Sequence, residues 1–320
     1  MHPKTTFSDD WHNFYSRSVL CTPEGRHILN EIEDQLGHYD AIWHDQPPFK
    51  WAEFDDIDPD SVAGKLACAA TNVELLERVV LCRSIHLIRA FIEAINRDDF
   101  DSAPFLLRAV LEQAALGAHA VKRFREALAV LRGERDNQRP WEELLANAQL
   151  STLFGAKVNF GAIVELVQER LVRGKVVDYA VEEIEMVREL IEQGRFSERE
   201  IGRDDLPFKA KNIIDLVKDL SAENPQEGAP PNAIELEWAY FSQYCHPSGF
   251  SWSFDLVEVF TGGRDYNASS EIEERRRKAL STFVVPMWEW VLNLPGHVIE
   301  GLAAVETELE REVEALEGKA

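Results

Sequence analysis

APFLLRAVLEQAALGAHAVKRF, residues 103–124, is the stretch whose reading decides the fold. At about 100° per residue its apolar side chains cover nearly the whole circumference, the pattern of a helix packed on every side. Three polar residues interrupt it. Arg108, Glu112 and His119 fall within about 40° of one another by helical spacing, and Phe105, Leu111, Ala115 and Leu116 flank them. The sequence therefore predicts a buried helix that carries a charged strip inside the core or along a cleft. A buried charge needs a partner or water. Arg108 and Glu112 stand at i, i+4 and can pair. Arginine before glutamate is the less favourable order on an isolated helix, so each is expected to find a second partner on another element.

Working outward, most of the chain keeps the same period. Thr22-Pro23 reads as a cap followed by proline at the first helical position, opening a helix to about His38. A connector rich in Trp, Pro and acid, IWHDQPPFKWAEFDDIDPD, follows at 42–60. Asp58-Pro59 repeats the cap-plus-proline signal and opens a helical run to about Asn96, with Leu76, Val80, Ile85, Ile88, Phe91 and Ile92 among its apolar positions. The short link RDDFDSAP, 97–104, makes this run and the next helix, from near Pro104 to near Arg132-Gly133, antiparallel neighbours. Further helices are predicted over 140–150, 156–173, 178–193 and 206–221, with a capping box at Ser197–Glu200. AENPQEGAPPNA, 222–233, reads as a linker. The segment 250–265 reads as a loop or a short hairpin, and a last helical region, 269–316, is expected to kink or break at Pro286 and Pro295. The expected fold is all-α: a multi-helix bundle with long antiparallel helices. Residues 1–60 form an N-terminal helix and connector, 61–222 the main bundle, and 233–320 C-terminal helices packed on it as one compact unit.

The bulk numbers bound the function. The chain has 320 residues, 45% hydrophobic and 28% charged, enough for a sizeable core. A formal net charge of −23 repels bare nucleic acid over most of the surface, leaving only a local basic pocket for such a partner. Cys21, Cys68, Cys82 and Cys245 form no C-x-x-C pair, which argues against a disulfide framework or a zinc site of ordinary spacing. The N-terminal residues lack the apolar core of a signal peptide, and no run of about 18 apolar residues exists for a membrane span. The expected location is cytoplasmic.

A second stretch, EWAYFSQYCHPSGFSW at 237–252, packs Tyr240, Ser242, Tyr244, Cys245 and His246 into two helical turns before Pro247-Ser248-Gly249. Pro247 ends the helix, leaving His246 at its C-terminus, where the helix dipole favours a protonated imidazole. Docked against the charged strip, this end would bring Arg, Glu, His, Tyr and Ser together. Candidate catalytic residues are His246 as acid or base, Arg108 as a stabiliser of developing charge, and Glu112 and Tyr240 as orienting groups. Candidate ligand-binding residues are Ser242, Tyr244, Ser248 and His119. The bland alternative is that these groups only satisfy one another and fix helix register. Other motifs fail on residue identity. The Asp56/Asp58/Asp60 run has Ser61 and Ala67 where a calcium loop needs glycine and glutamate. Gly262-Gly263-Arg264 reads as a turn rather than a phosphate cradle. Trp288 and Trp290 read as helix packing. A metal site from Glu112, His119 and His246 has no recognised ligand spacing. No metal and no cofactor is expected.

Arg108-x-x-x-Glu112 and Tyr240-x-Ser242-x-x-x-His246-Pro247-Ser248 resemble the signature of an uncharacterised bacterial family of helical proteins, over about 75–250. That resemblance implies an all-helical fold and importance for the two motifs, without a reaction. A looser resemblance, to the HEPN helical domains, implies metal-independent ribonuclease chemistry. Their arginine lies four to six residues before a histidine, whereas Arg83, Arg78 and Arg108 precede His86 and His119 by other spacings. Three functions follow as expectations. The first is a module that binds a small ligand or protein partner through the Arg108/Glu112/His246 cleft, in stress or phage defence. The second is a HEPN-like ribonuclease. The third is a structural homo-oligomer.

Overall fold

The computed structural model of the protein describes residues 23–49, 58, 61–96, 102–133, 141–154, 212–224, 230–245 and 285–318. These fold into seven α-helices: α1 (Pro23–Asp45), α2 (Val62–Asn96), α3 (Ser102–Leu131), α4 (Trp141–Phe154), α5 (Ile213–Glu223), α6 (Ala233–Cys245) and α7 (Val285–Glu317). No strand occurs among the described residues, so the class is all-α, as the helical period predicts. The helices expected over 156–173 and 178–193, the Ser197–Glu200 capping box, and the 250–265 segment with its glycines lie outside the described residues.

Helix ends follow local chemistry, with informative departures. α1 begins at Pro23, whose missing N–H belongs to a turn that has no intrahelical partner for it. It runs to Asp45 rather than stopping near His38, because Ile32, Leu36 and Tyr39 keep one buried stripe going past Gly37. α2 begins at Val62, later than Asp58-Pro59 suggests. Ser61 is the cap: its Oγ accepts the Gly64 N–H at 3.0 Å, while its own hydroxyl and amide donate to the Asp58 carbonyl. Gly133, at φ 72°, closes α3 in the left-handed conformation, with its N–H on the Val130 carbonyl. The helix α7 continues through Pro295. An interior proline costs about 3 kcal/mol. Val291, Leu294, Val298, Leu302, Val305 and Leu309, all buried on one stripe, offset it.

The chain divides into two compact units, residues 1–121 with 217–320, and residues 122–216. In the second unit Phe124, Ala127, Leu128, Leu144, Leu145, Ala148 and Leu216 are buried. In the first, α7 lies along α2 and α1 packs against both. Arg89 of α2 donates to both carboxylate oxygens of Asp40 on α1, at 2.7 and 2.5 Å. Tyr39 of α1 sits over Gly296 of α7, where a Cβ would lie 3.2 Å from its hydroxyl. Gln35 donates to that hydroxyl at 3.1 Å. Burial pushes the phenol up to about 12, so it stays neutral. The helices α2 and α3 meet at Gln113, whose amide donates to the Val80 carbonyl (2.7 Å) and the Ser84 hydroxyl (2.8 Å). Ser84 lies 12 residues before the end of α2 (96 − 84) and Gln113 lies 11 after the start of α3 (113 − 102), the correspondence an antiparallel hairpin requires.

The helices α3 and α7 cross at two reciprocal glycines. A Cβ on Gly117 of α3 would stand 2.3 Å from Val298 Cγ1 of α7, and one on Gly301 of α7 would stand 3.2 Å from Val121 Cγ2 of α3. Each valine fills the space its partner glycine leaves. By contrast, a Cβ on Gly37 meets nothing within 4 Å. Gly117→Ala is therefore expected to destabilise the protein by about 1–3 kcal/mol through overpacking. Gly37→Ala is expected to stabilise it by about 0.5–1 kcal/mol through helix propensity alone. Urea unfolding of the two variants reads the contrast, and equal effects from both would contradict the crossing.

The α2–α7 seam also carries acid. Glu77 is 9% exposed, and Glu74 pairs with Arg78 at 2.5 Å. Burial, then the charges of Glu77, Glu74 and Glu310, push the Glu306 carboxyl up to about 7 against the pull of Arg78. A carboxyl raised this way adds stability below its unfolded value of 4.5 and loses it as pH rises through about 7. The thermal unfolding midpoint should fall between about pH 5 and 8, and Glu306→Gln should flatten part of that fall. A midpoint that climbs over this range would count against the seam.

Candidate functional site

The charged strip on α3 is covered in part by α6, the short helix of the second sequence stretch. Its spacing explains the docking. Ile234, Glu237 and Phe241 form the inward stripe of α6 and are all buried. Trp238, Ser242 and Cys245, at i, i+4 and i+7, form the adjoining stripe. Trp238 meets α3 with both halves of its ring chemistry. The indole N–H donates to Glu112 Oε1 at 3.0 Å. The ring face lies under the Arg108 guanidinium, with Cζ 5.1 Å from the centroid. Arg108 Nε also donates to Glu112 Oε1, at 2.6 Å. One carboxylate oxygen thus holds two donors from two helices.

The second partners expected from the unfavourable Arg-before-Glu order are therefore present. For Glu112 it is the Trp238 N–H; for Arg108 it is the Trp238 ring. Burial opposes the charge on Arg108. The Glu112 carboxylate beside it outweighs burial and raises the guanidinium, which is firmly protonated. The side chains of Arg108 and Glu112 keep 20% and 30% exposure, so the strip lies at a partly exposed edge rather than in the closed core.

The other candidate residues are placed as follows. Ser242 is 6% exposed, and its hydroxyl donates to the Trp238 carbonyl at 2.7 Å, bracing the turn that carries the indole. Tyr240 is two residues, or roughly 200°, around α6 from Trp238, and its ring stands edge-on to Phe241 at 5.9 Å. His119 is 11 residues beyond Arg108 on α3 (119 − 108), about 16 Å along the axis, so it does not join the Arg108 cluster. Tyr244 belongs to α6, but its side chain lies outside the description, as do His246 and Ser248 altogether. Trp238 was not singled out by the sequence reading. Its signal was available: a tryptophan on a half-buried helix face needs an acceptor for its N–H, and it shares a stripe with Ser242 and Cys245. Among the described residues no group of three His, Cys, Asp or Glu could hold a metal ion, and no helix is long and apolar enough to cross a membrane.

Comparison with known proteins leaves the geometry to speak for itself: no family model, curated protein or solved structure matches the chain.

The arrangement is suited to holding a fixed positive charge at a partly exposed edge. Glu112 sets the tilt of the guanidinium and Trp238 sets its plane. Glu112→Leu strands the partly exposed Arg108 charge and the Trp238 N–H and should cost about 1.5–3 kcal/mol. The pair Arg108→Met with Glu112→Leu should be markedly milder. Trp238→Phe, which keeps a ring and removes the N–H, should cost about 1.5–3 kcal/mol. Urea unfolding of the set checks the order, and a double variant as unstable as Glu112→Leu would contradict it.

Proposed function

We propose that the chain is a ligand- or partner-binding module whose recognition group is Arg108, and that it takes an anionic group where α3 meets α6. The observation that carries this reading is the Arg108–Glu112–Trp238 contact. A guanidinium fixed in tilt and plane, yet still partly exposed, is pre-organised for planar acceptors such as carboxylate or phosphate. The setting proposed for it, stress or phage defence, is supported only by the likeness to defence-associated helical domains. A second reading, acid–base cleavage of RNA, is favoured by one observation. Trp238 of α6 lies against Arg108, and His246 follows the last residue of that helix in the chain.

Both readings are tested on one preparation. Wild-type protein, Arg108→Lys and His246→Ala are incubated with tRNA and chelator, and parallel samples are examined by native mass spectrometry for co-purified small anions and protein partners. The binding reading expects an adduct on wild type that Arg108→Lys reduces at least tenfold, since a lysine cannot reproduce the stacked, bidentate donor. It expects intact tRNA throughout. Cleavage by wild type and not by His246→Ala would replace it with the nuclease reading. An adduct unchanged in Arg108→Lys would remove Arg108 from the site.

A further inference from the structure

The inward stripe of α6 contains one residue that does not belong in a core. Glu237 stands between Ile234, 1% exposed, and Phe241, 0% exposed, and is itself only 7% exposed. Its Oε2 is closed to solvent and has no hydrogen-bond partner among the described residues. The charged groups shown in contact with α6 are engaged elsewhere. Arg108 and Glu112 of α3 bond to each other and to Trp238, and Lys218 of α5 lies 3.9 Å from Glu235. Burial is what raises the Glu237 carboxyl.

We infer that α6 is held by a proton: Glu237 docks as the neutral acid, and its ionisation releases α6 from the first unit. An isolated carboxylate cannot be kept in an apolar stripe, because nothing there replaces its water. The helix is short, 13 residues, and gives up that contact more cheaply than the long helices around it. Burial pushes the carboxyl up to about 7, which sets the release near neutrality. Release withdraws Trp238 from Glu112. Anion binding at Arg108 is then also governed by pH, a consequence that rests on the binding reading above, whereas the release of α6 does not.

Hydrogen exchange of the full-length protein, followed by mass spectrometry at pH 6, 7 and 8 and corrected for intrinsic rates, tests this directly. With carboxyl values of about 7 docked and 4.5 released, α6 amides should open about tenfold more at pH 8 than at pH 6. Glu237→Gln should abolish the dependence, and Glu237→Met serves where the amide variant does not fold. Glu235→Gln, on the Lys218 side of the helix, should keep it. Wild-type protection of 233–245 that is independent of pH would overturn the inference. So would a wild-type profile in Glu237→Gln or Glu237→Met, or its loss in Glu235→Gln. Because the readout is exchange, failure of the anion reading would leave it unchanged.

Discussion

The close crossing of α3 and α7 is the constraint on which the first unit depends. Two helices normally stand apart by the thickness of their side chains. Here Gly117 receives Val298 and Gly301 receives Val121, so the backbones approach at two points three to four residues apart on each helix. That fixes the rotation of α3 about its axis. Ala114, Ala115, Leu111 and Val121 are then buried, and the Arg108–Glu112 edge is left where α6 can reach it. A rotation of one residue would carry the charges into the core. The site is therefore a product of packing between helices that contribute no site residue and one that contributes two.

The polar groups divide into those that tie helices together and two carboxyls raised by burial. Arg108, Glu112 and Trp238 form a closed set, each supplying what another lacks. Gln113, next to Glu112, ties α3 to α2 through Val80 and Ser84. Arg89 and Asp40 do the same for α1 and α2. Glu237 and Glu306 stand apart, since both carboxyls are raised to about 7 with burial as the leading cause. Placing two such groups in one acidic protein makes its packing sensitive to protons in the range where ordinary carboxylates are fully ionised.

The helical class, the extent of α3 and the hairpin with α2 were legible in the sequence because apolar residues repeat at the helical period over 30 or more positions. The Arg108–Glu112 pair was legible from spacing alone. Places where tertiary packing overrides local chemistry were not. Helix α1 passes its expected end because Tyr39 is anchored on Gly296, and α7 passes Pro295 because its buried stripe does not stop there. Gly117 and Gly301 look like ordinary helix weak points until the opposing valines are known. Trp238 was missed for the same reason: its partner lies 126 residues away in the chain. Nor was it legible that the Ser242 hydroxyl donates to the Trp238 carbonyl of its own helix.

The central claim is that Glu112 joins α3 to α6 by accepting the Trp238 indole N–H. The most direct measurement is the indole N–H spectrum of protein labelled with nitrogen-15 tryptophan, with Trp238 assigned through its Phe variant. A hydrogen-bonded Trp238 N–H should be shifted downfield, protected from exchange with water, and displaced on Glu112→Gln. A Trp238 N–H that exchanges freely and is indifferent to residue 112 would contradict the account.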